Sequence, residues 1–218
     1  MKFKESFVIT ISREVGTGGR TIGRKLAERM DINFYDKELI RILMKRFNLN
    51  AETIEQIKAE KKSWLSDFVR FVSPMPAASA ILKSGSEYSQ ESYSEVTSGD
   101  IYKAETEILR ALADEGACVI AGRSGFHILK DHPNEKSIFI TASKPNRIKR
   151  IMEKQGVSEQ EATDIVEKVD ESRENYIKRF TGKSRYDARN YDLSINVDGL
   201  TEDQAVETIL SYLSQVSD

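Results

Sequence analysis

The sequence predicts an α/β fold, a parallel sheet with helices on both faces. Short apolar runs recur along the chain: FVITI at 7–11, ACVIAG at 117–122, KSIFITAS at 136–143 and YDLSINVDG at 191–199. Between them lie longer segments with apolar residues at helical spacing. The first run also breaks directly into a glycine-rich turn, Gly16-Thr17-Gly18-Gly19, that opens a helix. Buried strands alternating with helices imply crossover units and therefore a parallel sheet.

In order, FVITI reads as a fully buried strand, and a helix follows from about Thr21 to Met30 with Leu26, Ala27 and Met30 on its apolar face. INFYD is a short strand ending at Asp36, KELIRILMKRF a strongly periodic helix, and residues 51–72 a second helix capped by Asn50. Ser73 to Asp100 is rich in Ser, Gly and Pro with weak periodicity, which predicts a mobile loop inside an insertion. A helix over 101–115 closes on Gly116, and ACVIAG runs straight into Gly122-Arg123. After the strand KSIFITAS comes a basic helix ending at Gly156. A charged helix follows, opening on the capping-box pair Ser158 and Glu161, and a last strand and helix complete the chain. In such sheets ligands bind at the carboxyl ends of the strands. This directs attention to the glycine loop, Asp36, Gly122-Arg123 and the segment after Ser143.

The chain has 218 residues, enough for one α/β domain over 1–218 that buries roughly 70% of its unfolded surface. Its net charge is −2 and its pI about 5.9, so no overall basic field draws it to nucleic acid or a membrane. Cys118 is the only cysteine, which excludes internal disulfides and a cysteine metal cage, and His127 and His132 stand alone. The first eleven residues are too short in apolar content for a signal-peptide core or a spanning helix. The expectation is a cytoplasmic protein with small-molecule partners, and a homo-oligomer is compatible with it.

Successive amides in a glycine turn at a helix N-terminus make a concave anion site. Gly19-Arg20-Thr21 fills the end of the mononucleotide signature G-x-x-x-x-G-K-[ST] with Arg for Lys, while Glu14 takes the opening glycine position. Arg20 can neutralise phosphate, and Thr21 can offer a hydroxyl to Mg²⁺. A dinucleotide fingerprint fits Gly16, Gly18 and Asp36 but fails at the third glycine, where Thr21 stands. A bare strand-to-helix turn is the third reading, and all three stay open on the loop alone. The basic residues favour phosphoryl chemistry. Arg123 directly follows a buried strand, Arg147, Lys149 and Arg150 begin a helix after another, and Lys168 to Arg189 continue the enrichment. Phosphoryl transfer needs such a clamp because its transition state spreads charge over several oxygens.

The segments ITISREVGTGGRTIGRKLAERMDINFYDKELI, VIAGRSGFHIL, IFITASKPNRIKRIM and VDESRENYIKRFTGKSRYDARNYDLSINVDGL together resemble the cytidylate kinase-like proteins, a divergent branch of the nucleoside monophosphate kinases. The resemblance implies a P-loop fold with a monophosphate-binding insertion (about 37–115) and an arginine-bearing lid (about 144–190). It also implies transfer of the γ-phosphoryl of ATP, with Mg²⁺, to CMP or a related acceptor. On this resemblance Gly16, Thr17, Gly18, Gly19, Arg20 and Thr21 form the phosphate loop, with Thr21 toward the metal. Arg20, Arg123, Asp170 and Arg173 form the expected catalytic set; Asp36, Arg123 and Ser124 meet the acceptor, and Arg147 and Arg150 begin the lid. The chain departs from true cytidylate kinases at Glu14, Arg20, Ser124 (Asp there), Val166 (Arg there) and Asn196 (Asp there). A nucleotide-binding regulatory protein with little turnover therefore stands as the alternative.

Overall fold

The computed structural model describes residues 7–36 and 98–216. The helices expected over 37–47 and 51–72, and the Ser-rich stretch up to residue 97, lie outside the described residues. Strand β1 (Val8–Arg13) is buried at every position and takes the centre of a five-stranded sheet. It pairs in parallel with β3 (Cys118–Ala121) on one side and β4 (Glu135–Thr141) on the other. The edges are β2 (Asn33–Tyr35), parallel to β3, and β5 (Leu193–Asn196), parallel to β4, giving the order β2-β3-β1-β4-β5. Covered on both faces, a central parallel strand reads as a mainly apolar run rather than an alternating one, and VITI does so, with the buried Thr10 hydroxyl donating to Glu135.

Helix α1 (Gly19–Met30) and the last helix of the chain (Glu202–Val216) cover one face. Ile9 and Ile11 of β1 pack there with Ile22, Leu26, Val206, Ile209 and Leu213. On the other face Val8 and Ile120 meet Leu109 and Leu112 of α2 (Ser98–Glu115) and Ile128 of the short α3 (Gly125–Ile128). Each such side chain withdrawn from water stabilises the fold by about 1.5–3 kcal/mol. Helix α2 starts three residues before the expected position, because Ser98-Gly99-Asp100 already form its first turn.

Helices α4 (Lys144–Gln155) and α5 (Glu159–Thr181) follow β4; the helix over Glu202–Val216 is α6. Ser158 caps α5 as the sequence predicts: its hydroxyl accepts from the Glu161 amide, and Glu161 reaches back to the Ser158 amide at 2.9 Å. A third apolar cluster joins Val15, just after β1, to Ile151 of α4 and Ala162, Val166 and Val169 of α5. That cluster seats the glycine loop against the α4–α5 hairpin.

Candidate functional site at the carboxyl edge of the sheet

The glycine loop leaves β1 and turns into α1 over Gly18, whose left-handed φ of 76° makes it the N-cap; Gly16 has a φ of 85°. Both positions favour a residue without Cβ. A Cβ at Gly16 would also lie 2.6 Å from the carbonyl oxygen of Arg147, and one at Gly18 would lie 2.7 Å from the Arg150 guanidinium. The Thr17 hydroxyl donates to the Glu14 carbonyl and accepts from the Gly19 amide, bracing the turn. The amides of Gly16, Thr17 and Gly18 donate to no described residue. A loop with free amides at the mouth of a helix is suited to bind an anion.

Arg20 turns toward the end of β2: its Nε forms an ion pair with Asp36 Oδ2 at 2.7 Å. Asp36 is buried, and its other oxygen meets Nη2 of Arg13 at 3.4 Å. Two expected site residues, Arg20 and Asp36, are thus brought together, with Arg13 as an unexpected third. Arg13 closes β1, and its carbonyl accepts from Arg173 at 3.1 Å and from Arg185.

Next to the loop, β3 ends in Gly122-Arg123-Ser124, and the Gly122 amide donates to the Ile11 carbonyl of β1. Three successive residues adopt left-handed φ: 89° at Gly122, 59° at Arg123 and 56° at Ser124. For the two with side chains this costs about 1–3 kcal/mol each, and such strain clusters at functional sites. Surrounding bonds hold the turn: Arg123 donates to Glu105 of α2 at 2.8 Å, and the His127 and Ile128 amides close on the Ser124 carbonyl. Tyr176 of α5 donates to the second oxygen of Glu105. Glu105 is fully buried, which pushes its carboxyl upward, while Arg123 and Tyr176 pull it back. The Ser124 hydroxyl is buried and finds no hydrogen-bond partner among the described residues.

Asp170 stands below the loop. It accepts from the Val15 amide at 3.2 Å and pairs with Arg147, with Arg185 at 3.4 Å and with Arg173 at 3.9 Å. Arg147 also meets the Glu14 carboxylate at 3.4 Å and the Val15 carbonyl at 3.3 Å, so this expected lid arginine is buried as a strut under the loop. Arg150 does lie over the loop, paired with Glu202. Burial drives the Arg173 guanidinium down to about 9, with repulsion from Arg13 and Arg185 adding to it.

Among the described residues six arginines (13, 20, 123, 147, 173 and 185) gather with four carboxylates (Glu14, Asp36, Glu105 and Asp170) at the carboxyl edge of the sheet. A cavity of about 240 Å³ opens beside the loop, lined by Gly16, Thr17, Asn146, Arg150, Asp198 and Glu202 among others. Sequence reading missed Arg13, Glu105 and Tyr176 and counted Arg185 only within a basic stretch. For Arg13 a signal existed, a charged side chain ending a buried strand; Glu105 is one acidic residue among several on a charged helix and carried none.

A parallel β2-β3-β1-β4-β5 sheet, a glycine loop between its central strand and α1, and arginines at the carboxyl edge define the chain as a P-loop kinase-like protein. The fold is shared with shikimate kinase from Bacteroides thetaiotaomicron (14% identity, 97% of this chain and 99% of that one, TM-score 0.55). It is shared likewise with a gluconokinase from Sinorhizobium meliloti 1021 (14%, 97% and 94%, TM-score 0.53). An uncharacterized protein from Eubacterium ventriosum is more similar, at 27% identity over 95% of this chain and 98% of that one, with a TM-score of 0.66. Residues 8–199 match the cytidylate kinase-like family, and the chain belongs to it. No curated protein matches the chain. Among the described residues no helix is long and apolar enough to cross a membrane.

Proposed function

We propose that the protein transfers the γ-phosphoryl group of ATP to CMP or a related small acceptor. The observation that carries this reading is the gathering of arginines at the seam between the glycine loop, with its free amides, and the Gly122–Ser124 turn. Phosphoryl transfer asks for positioning and for cations around oxygens that gain charge, and little else. On this reading the loop amides hold the donor's phosphates and the 240 Å³ cavity takes its nucleoside. Arg123, Ser124 and Asp36 meet the acceptor, and the orphan Ser124 hydroxyl gains a partner there. An acceptor oxygen attacks the γ-phosphorus, the bond to the β–γ bridging oxygen breaks, and ADP leaves with that electron pair. A monophosphate acceptor needs no base, since its second ionisation falls near pH 6; a hydroxyl acceptor would pass its proton to Asp36.

Mg²⁺ fits this arrangement as an ion held mainly by phosphates and water. The Thr21 hydroxyl, half-buried in the first turn of α1, makes no hydrogen bond to a described residue and would complete its shell. When bound, the ion neutralises phosphate charge. An ATP donor also suits the cytoplasmic setting expected from the sequence.

A second reading, a nucleotide-binding regulator with little turnover, is favoured by one observation: Arg20, the expected cation of the loop, is engaged by Asp36. ADP release with ATP, Mg²⁺ and a panel of monophosphates and small alcohols separates the two. The kinase reading expects acceptor-dependent ADP. It also expects Arg123→Lys to cut that turnover about 10- to 150-fold, the worth of a charge-assisted contact, with ATP affinity nearly intact. ATP binding without acceptor-dependent ADP from any acceptor would establish the regulator instead.

A further inference from the structure

Arg13 is 8% exposed, yet it sits where three structural features meet. Its stem passes over the first residue of α1, so a Cβ on Gly19 would lie 2.7 Å from its Cβ. Its guanidinium then reaches the neighbouring strand end, where a Cβ on Gly122 would lie 2.3 Å from Nη1. Two glycines from different elements, one in the phosphate loop and one in the turn carrying Arg123, therefore make the channel that this side chain fills. Asp36 orients the guanidinium from a third side, at 3.4 Å. The backbone at this point is pinned as well, since Arg173 and Arg185 both donate to the Arg13 carbonyl.

We propose that Arg13 is the cation that grips the transferring phosphoryl group between the phosphate loop and the Gly122–Arg123 turn. This rests on the phosphoryl-transfer reading above and gives it a residue that the loop signature does not assign. The task would fall to a loop lysine in the full signature; this chain has Arg20 at that position, and Arg20 faces Asp36. The channel between Gly19 and Gly122 joins the phosphate loop to the Gly122–Arg123 turn, and a planar guanidinium can bridge oxygens on both sides. Burial lowers its proton affinity, Asp36 opposes this, and Arg185, Arg123 and Arg20 add to the lowering.

The test compares MgATP and MgADP affinity of the full chain by calorimetry, because the two ligands differ only in the γ-phosphoryl. Arg13→Gln is expected to lower the ATP-to-ADP affinity ratio about 10- to 150-fold, with ADP affinity held within about threefold. A folded Arg13→Gln chain with the wild-type ratio overturns the proposal. If that variant does not fold, Arg13→Met decides, because it keeps an unbranched stem in the channel between Gly19 and Gly122 without the charge. A lowered ratio in a folded Arg13→Met chain supports the assignment, whereas the wild-type ratio overturns it. The outcome is separable from the transfer reading: an Arg13-dependent ratio with no turnover toward any acceptor defeats that reading and keeps Arg13 as the γ-phosphoryl cation.

Discussion

Single residues in this fold carry unusual proton affinities, and two of them are open to direct test. Glu135, at the start of β4, has its carboxyl pushed up to about 7 by burial, with Asp192 adding to the rise, while the Thr10 hydroxyl and Lys136 oppose it. In the unfolded chain the group returns to its ordinary value of 4.5. The folded chain then holds a proton that the unfolded chain has released. The associated stability is complete below pH 4.5 and is lost as pH rises through 7. The melting temperature should fall between pH 5 and pH 8, and Glu135→Gln should flatten part of that fall. An identical pH profile in the variant would locate the effect in other groups. Cys118 gives a second case: burial raises its thiol to about 12, so almost no thiolate exists at neutral pH. Alkylation of the native chain by iodoacetamide should be negligible and should appear only on denaturation.

At the scale of elements, the attachment of the α4–α5 hairpin to the phosphate loop depends more on one carboxylate than on the helix cap. Asp170 ties the Val15 amide, Arg147 and Arg185 together in a buried setting. Asp170→Asn leaves buried guanidiniums without a counter-charge, a loss of about 3–5 kcal/mol. Ser158→Ala removes the capping-box hydroxyl of α5 in an exposed position and should cost about 1 kcal/mol. Urea unfolding of both variants checks the order. A larger loss for Ser158→Ala than for Asp170→Asn would mean that the network holds the loop through other pairs. The same hairpin carries Arg150, so its seating sets where that guanidinium stands over Gly18.

Across the whole molecule, a net charge of −2 conceals a seam dense in arginine. Six arginines crowd the carboxyl edge of the sheet, and their mutual repulsion is relieved by any anion that binds there. Binding to the folded state alone stabilises by RT ln(1 + [L]/Kd), about 2.7 kcal/mol at a hundredfold excess over Kd. Inorganic phosphate should therefore raise the melting temperature above that in chloride at matched ionic strength, and MgATP should raise it further. Equal melting temperatures in phosphate and chloride would show that the cluster is satisfied by its own carboxylates.

The order of strands and helices was legible in the sequence because the signals are local. Buried parallel strands show as mainly apolar runs, the phosphate loop needs glycine where φ turns positive, and Ser158 and Glu161 are only three residues apart. By itself the sequence thus determined the α/β class, the loop, the Gly122–Arg123 turn and the kinase-like family resemblance. Only the tertiary structure decided what each arginine does. Arg13 and Arg20 flank the same glycines and look alike in the chain. Yet one fills the channel between Gly19 and Gly122, and the other faces Asp36 from outside it. Arg147 reads as a lid residue beside Arg150 but is buried under the loop, and Glu105 is recognisable only once α2 brings it to Arg123. The physical reason is that an ion pair depends on distance in space. Arg123 and Glu105 lie 18 positions apart in the chain and Arg13 and Asp36 lie 23 apart, and packing of the sheet and the hairpin decides which charges share one buried seam.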